Sequence, residues 1–105
     1  MFRALSIASL AALALAACAS APLRYVDGDG KEYAGSLDPA TNSMTAQIGA
    51  KQYRGPFTVN EWGQAKSRLT AAGSDPLLCT FYIQVLKVKG TCTDLAGGEY
   101  SVVTR

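Results

Sequence analysis

Three cysteines, Cys18, Cys79 and Cys92, are the most reactive side chains in the sequence, and there is no histidine. The commonest general base and the commonest neutral metal ligand are therefore both missing. A serine nucleophile would need a base beside it and a sharp turn to present it, and no Gly-x-Ser-x-Gly segment occurs. Two carboxylates can share acid–base work when their environments differ, and Asp94 with Glu99 is the candidate pair. Both stand at ordinary turn positions, where solvation is the expectation. The acidic segment Asp27-Gly28-Asp29-Gly30-Lys31-Glu32 has a calcium-loop outline. Lys31 occupies its third ligand place and its glycine comes early, so a hairpin turn explains it better. Cys79 and Cys92 without histidine make a poor zinc set. The sequence thus predicts no catalytic residue, no metal and no cofactor, and a protein that is not an enzyme.

Charge excludes another class. Ten basic against eight acidic residues give a net charge of +2. Removing Arg3 with a leader leaves nine against eight, a net of +1. That balance predicts neither nucleic-acid binding nor electrostatic docking to anionic lipid.

Met1 to Arg3 forms a short basic region, and Ala4 to Ala17 an uncharged apolar one. The apolar stretch is shorter than the roughly 20 residues a membrane span needs, and fits a secretory leader. It ends in Leu15-Ala16-Ala17-Cys18, which resembles the lipobox of bacterial lipoproteins. The resemblance covers about the first fifth of the chain. It implies cleavage before Cys18, whose thiol takes a diacylglyceryl group, and attachment to a membrane through that lipid. In Gram-negative lipoproteins the next residue sorts the product. Ala19, in place of Asp, implies the outer membrane with the domain facing the periplasm. The expected organisation is a leader over residues 1–17, a lipidated tether over 18–23 and one β domain over 24–105.

With Cys18 assigned to lipid, Cys79 and Cys92 remain as an even pair in an oxidising compartment, which predicts one disulfide. It would close a loop of about 14 residues and contribute about 3 kcal/mol on a chain-entropy argument. A mature domain this small has a modest core, so that contribution matters.

The elements that must carry these residues read as strands. Turn signals recur at Asp27 to Gly30, Asp38 to Asn42, Gly49-Ala50, Gly73 to Pro76, Lys89-Gly90 and Gly97-Gly98. Alternating apolar rows lie between them: Met44, Ala46, Ile48; Tyr53, Gly55, Phe57, Val59; Leu77, Cys79, Phe81, Ile83, Val85; Tyr100, Val102. A weak repeat supports the rhythm, since Gly30-Lys31-Glu32-Tyr33, Ala50-Lys51-Gln52-Tyr53 and Gly97-Gly98-Glu99-Tyr100 resemble one another. The first two continue into Tyr-x-Gly, where the glycine would permit a bend or a close approach. Asn60 to Ala72 is ambiguous. A strand over Gln64 to Ala71 is preferred, and the alternative is a short helix over 60–72 capped by Asn60. The fold class is all-β, an antiparallel meander of seven or eight strands closed as a barrel or stacked as a sandwich.

The second half, with Cys79 in a long strand, Gly90-Thr91-Cys92 and the Gly97 to Tyr100 ending, resembles small bacterial lipoproteins of unassigned activity. That implies an envelope location and nothing about chemistry. The leading expectation is a lipid-anchored envelope protein with a structural or protein-binding role. Its candidate surface is Trp62, Tyr53 and Tyr82 with Phe57, although a core role is preferred for such aromatics. The Lys87 to Lys89 stretch reads as a solvated hairpin tip. One alternative is an inhibitor of a hydrolase such as lysozyme. Gly49-Ala50-Lys51-Gln52-Tyr53 and Glu61-Trp62-Gly63-Gln64-Ala65 resemble features of periplasmic lysozyme inhibitors, with different spacing and differently placed cysteines. A small-ligand carrier is the other alternative, and would need an enclosed apolar cavity.

Overall fold

The computed structural model describes residues 20–85 and 87–105. The leader and Leu15-Ala16-Ala17-Cys18 lie outside the described residues. Eight strands follow one another: β1 (Ala21–Val26), β2 (Glu32–Asp38), β3 (Ser43–Ile48), β4 (Lys51–Val59), β5 (Gln64–Leu69), β6 (Leu77–Gln84), β7 (Lys87–Thr93) and β8 (Glu99–Thr104). Each is antiparallel to the next. β1 also pairs with β8, from Leu23 opposite Thr104 to Val26 opposite Ser101. That last ladder closes the sheet, so the fold is an up-and-down barrel and not a sandwich.

Alternation decides what goes inside. Along β6, Leu77, Cys79 and Phe81 are buried while Leu78, Thr80 and Tyr82 face out. An eight-stranded barrel is just wide enough for its side chains to fill. Here Leu23, Tyr25, Met44, Leu69, Leu77, Phe81 and Val102 fill it. The Phe57 and Phe81 rings meet edge-on at 6.0 Å. Tyr25 spans part of the interior and donates its hydroxyl to the Thr45 carbonyl at 2.9 Å. Cys79 and Cys92 sit directly opposite each other on β6 and β7, are joined by a disulfide, and are fully buried.

The repeated glycines are explained by the packing. A Cβ on Gly35 would collide with the Tyr25 ring and the Thr45 carbonyl, and one on Gly55 with the Arg68 carbonyl. The first two repeat copies therefore mark two places where the barrel wall needs a missing side chain.

Three expectations need correction. β1 begins at Ala21 and Leu23 is completely buried, so residues 21–23 belong to the barrel and not to the tether. The preferred strand is present as β5 (Gln64–Leu69), and the alternative helix over 60–72 is absent. The Asn60 side-chain oxygen does accept backbone N–H groups, from Trp62 and Gln64 at 3.0 Å each. Gly63, at φ 81°, then turns the chain back into β5 and ends any helical path. Lys89-Gly90 is not a turn. Gly90 lies within β7, opposite Phe81, and a Cβ there would strike Thr80 and Phe81 of β6. The Lys87 to Lys89 stretch belongs to β7, and the chain reverses before it, after Gln84.

The up-and-down order defines two ends. At the entry end β1 begins, and residues 39–42, 60–63 and 85–86 make the connections. Segments 27–31, 49–50, 70–76 and 94–98 connect the strands at the far end.

Candidate functional site

The aromatic group proposed from sequence divides in two. Tyr53 and Phe57, at 7% and 6% exposure, are core residues, because the pleat of β4 turns positions 53, 55 and 57 inward. They leave the candidate surface. Trp62 and Tyr82 remain on it, at 74% and 52% exposure.

Their positions are fixed by a chain of side-chain hydrogen bonds. Asn60 Nδ2 donates to Gln64 Oε1 at 2.9 Å, and Gln64 Nε2 donates to the Tyr82 hydroxyl at 3.1 Å. The backbone joins in, with Ile83 N–H donating to the Gly63 carbonyl at 2.9 Å. The Trp62 turn is thereby held against the entry end of β6.

Next to this corner the outer wall of β4 to β8 carries an open furrow of about 1080 Å³. Its floor is a cross-strand row in which Thr58, Lys66, Thr80, Thr91 and Ser101 each stand opposite the next. A second row nearer the entry end runs Gln64, Tyr82, Lys89, Val103. Short hydroxyl side chains thus lie among two lysines and one aromatic ring. Such a surface offers donors, acceptors, two ammonium groups and a π face. Sequence reading missed it because it is assembled from outward positions on five strands. The signal was the polar half of each alternation, Thr80 between Cys79 and Phe81 for example.

The far end is built from acids used as turn closures. Asp27 Oδ1 accepts the N–H groups of Asp29 and Lys31 at 2.9 Å each, and Oδ2 accepts the Tyr33 hydroxyl at 3.3 Å. The hydrogen bond from the Lys31 backbone is the largest influence holding this carboxyl below its ordinary range. Asp94 Oδ1 accepts the Gly98 N–H at 2.7 Å. Tyr33 and Tyr100 pack edge-on at 6.2 Å nearby. Burial raises the Tyr100 phenol above its usual range, and the Asp94 charge acts in the same direction. Asp27 and Asp94 are thus occupied with their own backbone. Among the described residues, no three of His, Cys, Asp and Glu are grouped to hold a metal ion.

The two strings that resemble lysozyme inhibitors lie at opposite ends, Gly49-Ala50-Lys51 at the far end and Glu61-Trp62-Gly63 at the entry end. The small-ligand alternative asks for an enclosed apolar space, whereas among the described residues Leu23, Tyr25, Met44, Leu69, Leu77, Phe81 and Val102 are buried in the interior. The outward strand positions include Arg54, Lys66, Arg68 and Lys89, whereas a membrane-spanning barrel presents an apolar band there. No described helix is long and apolar enough to cross a membrane. Comparison with family models, curated proteins and solved structures gives no match.

Proposed function

We propose that this chain is a lipid-anchored cell-envelope protein, attached through Cys18 to the outer membrane and facing the periplasm, whose barrel serves as a protein-binding or structural module. The anchor rests on Leu15-Ala16-Ala17-Cys18 following a basic and then an apolar stretch. An oxidising compartment suits a buried Cys79–Cys92 disulfide. The observation that carries the binding role is the furrow, where Thr58, Thr80, Thr91 and Ser101 lie beside Lys66, Lys89 and Tyr82. A filled, cross-linked barrel holds that surface rigid, which lowers the ordering cost of binding a partner.

Three measurements test this. Mass spectrometry of the mature protein should find an acylated N-terminal Cys18, and Cys18→Ala should accumulate as uncleaved precursor; normal processing of that variant refutes the anchor. A photo-reactive residue at Thr80 should cross-link to one envelope protein in intact cells, while the same residue at Arg54, outside the furrow, should not. Equal labelling from both positions, or none from either, removes the furrow as the binding site. Clearing of a cell suspension by lysozyme should proceed unchanged in the presence of the protein, and inhibition would favour the inhibitor alternative.

A further inference from the structure

A polarity along the barrel axis is concealed by the small net charge. Six of the eight acidic residues, Asp27, Asp29, Glu32, Asp75, Asp94 and Glu99, lie at the far end. Four bases share that half of the barrel with them, Lys31, Lys51, Arg54 and Arg68, with Arg24 near the middle. The order reverses in the entry half, where Lys66, Lys87, Lys89 and Arg105 outnumber Asp38 and Glu61.

Exposed apolar residues are polarised too. Among the described residues, Val59, Trp62, Tyr82 and Val85 of the large exposed hydrophobics belong to the entry half, and Leu78 and Leu95 to the far half. Val85 is the most telling. It is 92% exposed, and its φ of 55° lies in the left-handed region. A β-branched side chain is disfavoured there, and Asn or Gly would form the turn more easily. Neither core packing nor turn chemistry accounts for a valine at this tip. Trp62 likewise gives the turn only its backbone N–H, which Asn60 accepts, and its side chain projects without supporting the turn.

Tether length supplies the last element, and it rests on the lipid-anchor reading above. β1 begins at Ala21, three residues after Cys18. Three extended residues reach at most about 11 Å. A lipid on Cys18 would therefore bring the entry end to the headgroup region, with the acidic far end turned away.

We propose that the entry end docks on the phospholipid bilayer, with Trp62 and Val85 entering the interfacial layer and Lys87, Lys89 and Arg105 facing anionic headgroups. Trp is suited to that layer because its ring is apolar and its N–H is polar. Each Lys or Arg near an anionic surface is drawn to it, and the far end, with six acids against four bases, would be repelled if it faced the membrane instead. The lipid holds the protein on the membrane; the docking fixes which way the barrel points. The furrow, which reaches Val59 and Asn60 at this end, would then open sideways, just above the membrane.

Trp62 is the only tryptophan and so reports directly. The mature protein is extracted from membranes, the mass of Cys18 is measured, and the same preparation is placed in vesicles of phosphatidylethanolamine and phosphatidylglycerol with plain or brominated acyl chains. Brominated chains should quench most of the Trp62 emission. A Trp62→Phe/Leu95→Trp variant, which moves the reporter to the far end, should keep its emission in the same vesicles. Acylated Cys18 with unquenched Trp62 overturns the docking alone and leaves the entry face free for a protein. Equal quenching of the two reporters also overturns it, because the barrel would then have no fixed orientation. An unacylated Cys18 overturns the anchor reading, and the docking with it.

Discussion

The two ends of the barrel spend their side chains differently. At both ends polar side chains close turns, Asp27 and Asp94 at the far end and Asp38 and Asn60 at the entry end, each by accepting backbone N–H groups; the ends differ in their exposed apolar residues. The disulfide lies toward the far end, two residues into β6 from Leu77 and one residue from the end of β7. At the entry end the backbone of the Trp62 turn is secured by Asn60 and Gly63, while Trp62 and Val85 contact little of the barrel and face solvent. Apolar surface left exposed where simpler residues would serve the fold is the mark of a surface kept for a partner. The difference shows that a barrel of nearly neutral charge can still have a built-in direction.

Breaking the disulfide should have the largest effect. A Cys79→Ala/Cys92→Ala variant is expected to lose about 3 kcal/mol of unfolding free energy, from a closed loop of about 14 residues. Denaturant titration measures the loss. Hydrogen exchange of the same variant would sharpen the comparison. Amides of β6 and β7 near positions 79 and 92 should lose protection ahead of those around Ile83 and Val88. Uniform loss along both strands would mean that the staple serves the whole barrel equally and that the far end is not specially secured.

Val85→Asn should change stability in the opposite direction. Asn accepts the left-handed conformation that Val85 adopts at φ 55°, so relief of about 1 kcal/mol is expected. A rise in the midpoint of urea unfolding, together with weaker quenching of Trp62 by brominated lipid, would show that the entry end gives up stability for contact. An unchanged or lowered midpoint would mean that the turn carries no strain at that valine.

The fold was legible in the sequence because a barrel with a solid interior writes its pattern plainly. The rows through Met44 and Ala46, through Tyr53 and Phe57, and through Leu77, Cys79 and Phe81 each mark an inner face. Barrel closure was not legible. It depends on β1 meeting β8, a pairing between residues some 80 positions apart with no local signature. Leu23 was misplaced for the same reason: without β8 and β2 beside it, an apolar residue next to Pro22 reads as the end of a tether. Asn60 fitted both the preferred strand and the alternative helix, since a side-chain acceptor that caps a helix also caps a tight hairpin, and the structure has the strand. The furrow was the least accessible feature, because hydroxyls such as Thr80 and Thr91 become neighbours only through register.

Acidic titration gives the smallest and most selective test of the comparison. The Asp27 carboxyl is held below its ordinary value, first by the Lys31 backbone hydrogen bond and also by those from Asp29 and Tyr33. A depressed folded-state pKa means that the unfolded chain takes up the proton first as pH falls. The carboxylate's stabilising contribution is therefore complete above the unfolded carboxyl value near 4 and fades as pH drops through the lower folded one. Asp27→Asn keeps one acceptor oxygen and removes the charge. Wild type should exceed this variant slightly in stability at neutral pH, and the two curves should converge in acid. The group lies at the surface and is only partly buried, so the gap is expected to be small. Glu61→Gln, at the entry end where no side-chain bond to Glu61 supports the turn, should run parallel to wild type throughout. If the Asp27 gap persists undiminished in acid, the charge is not what secures the turn, and acid placement at the far end loses its structural explanation.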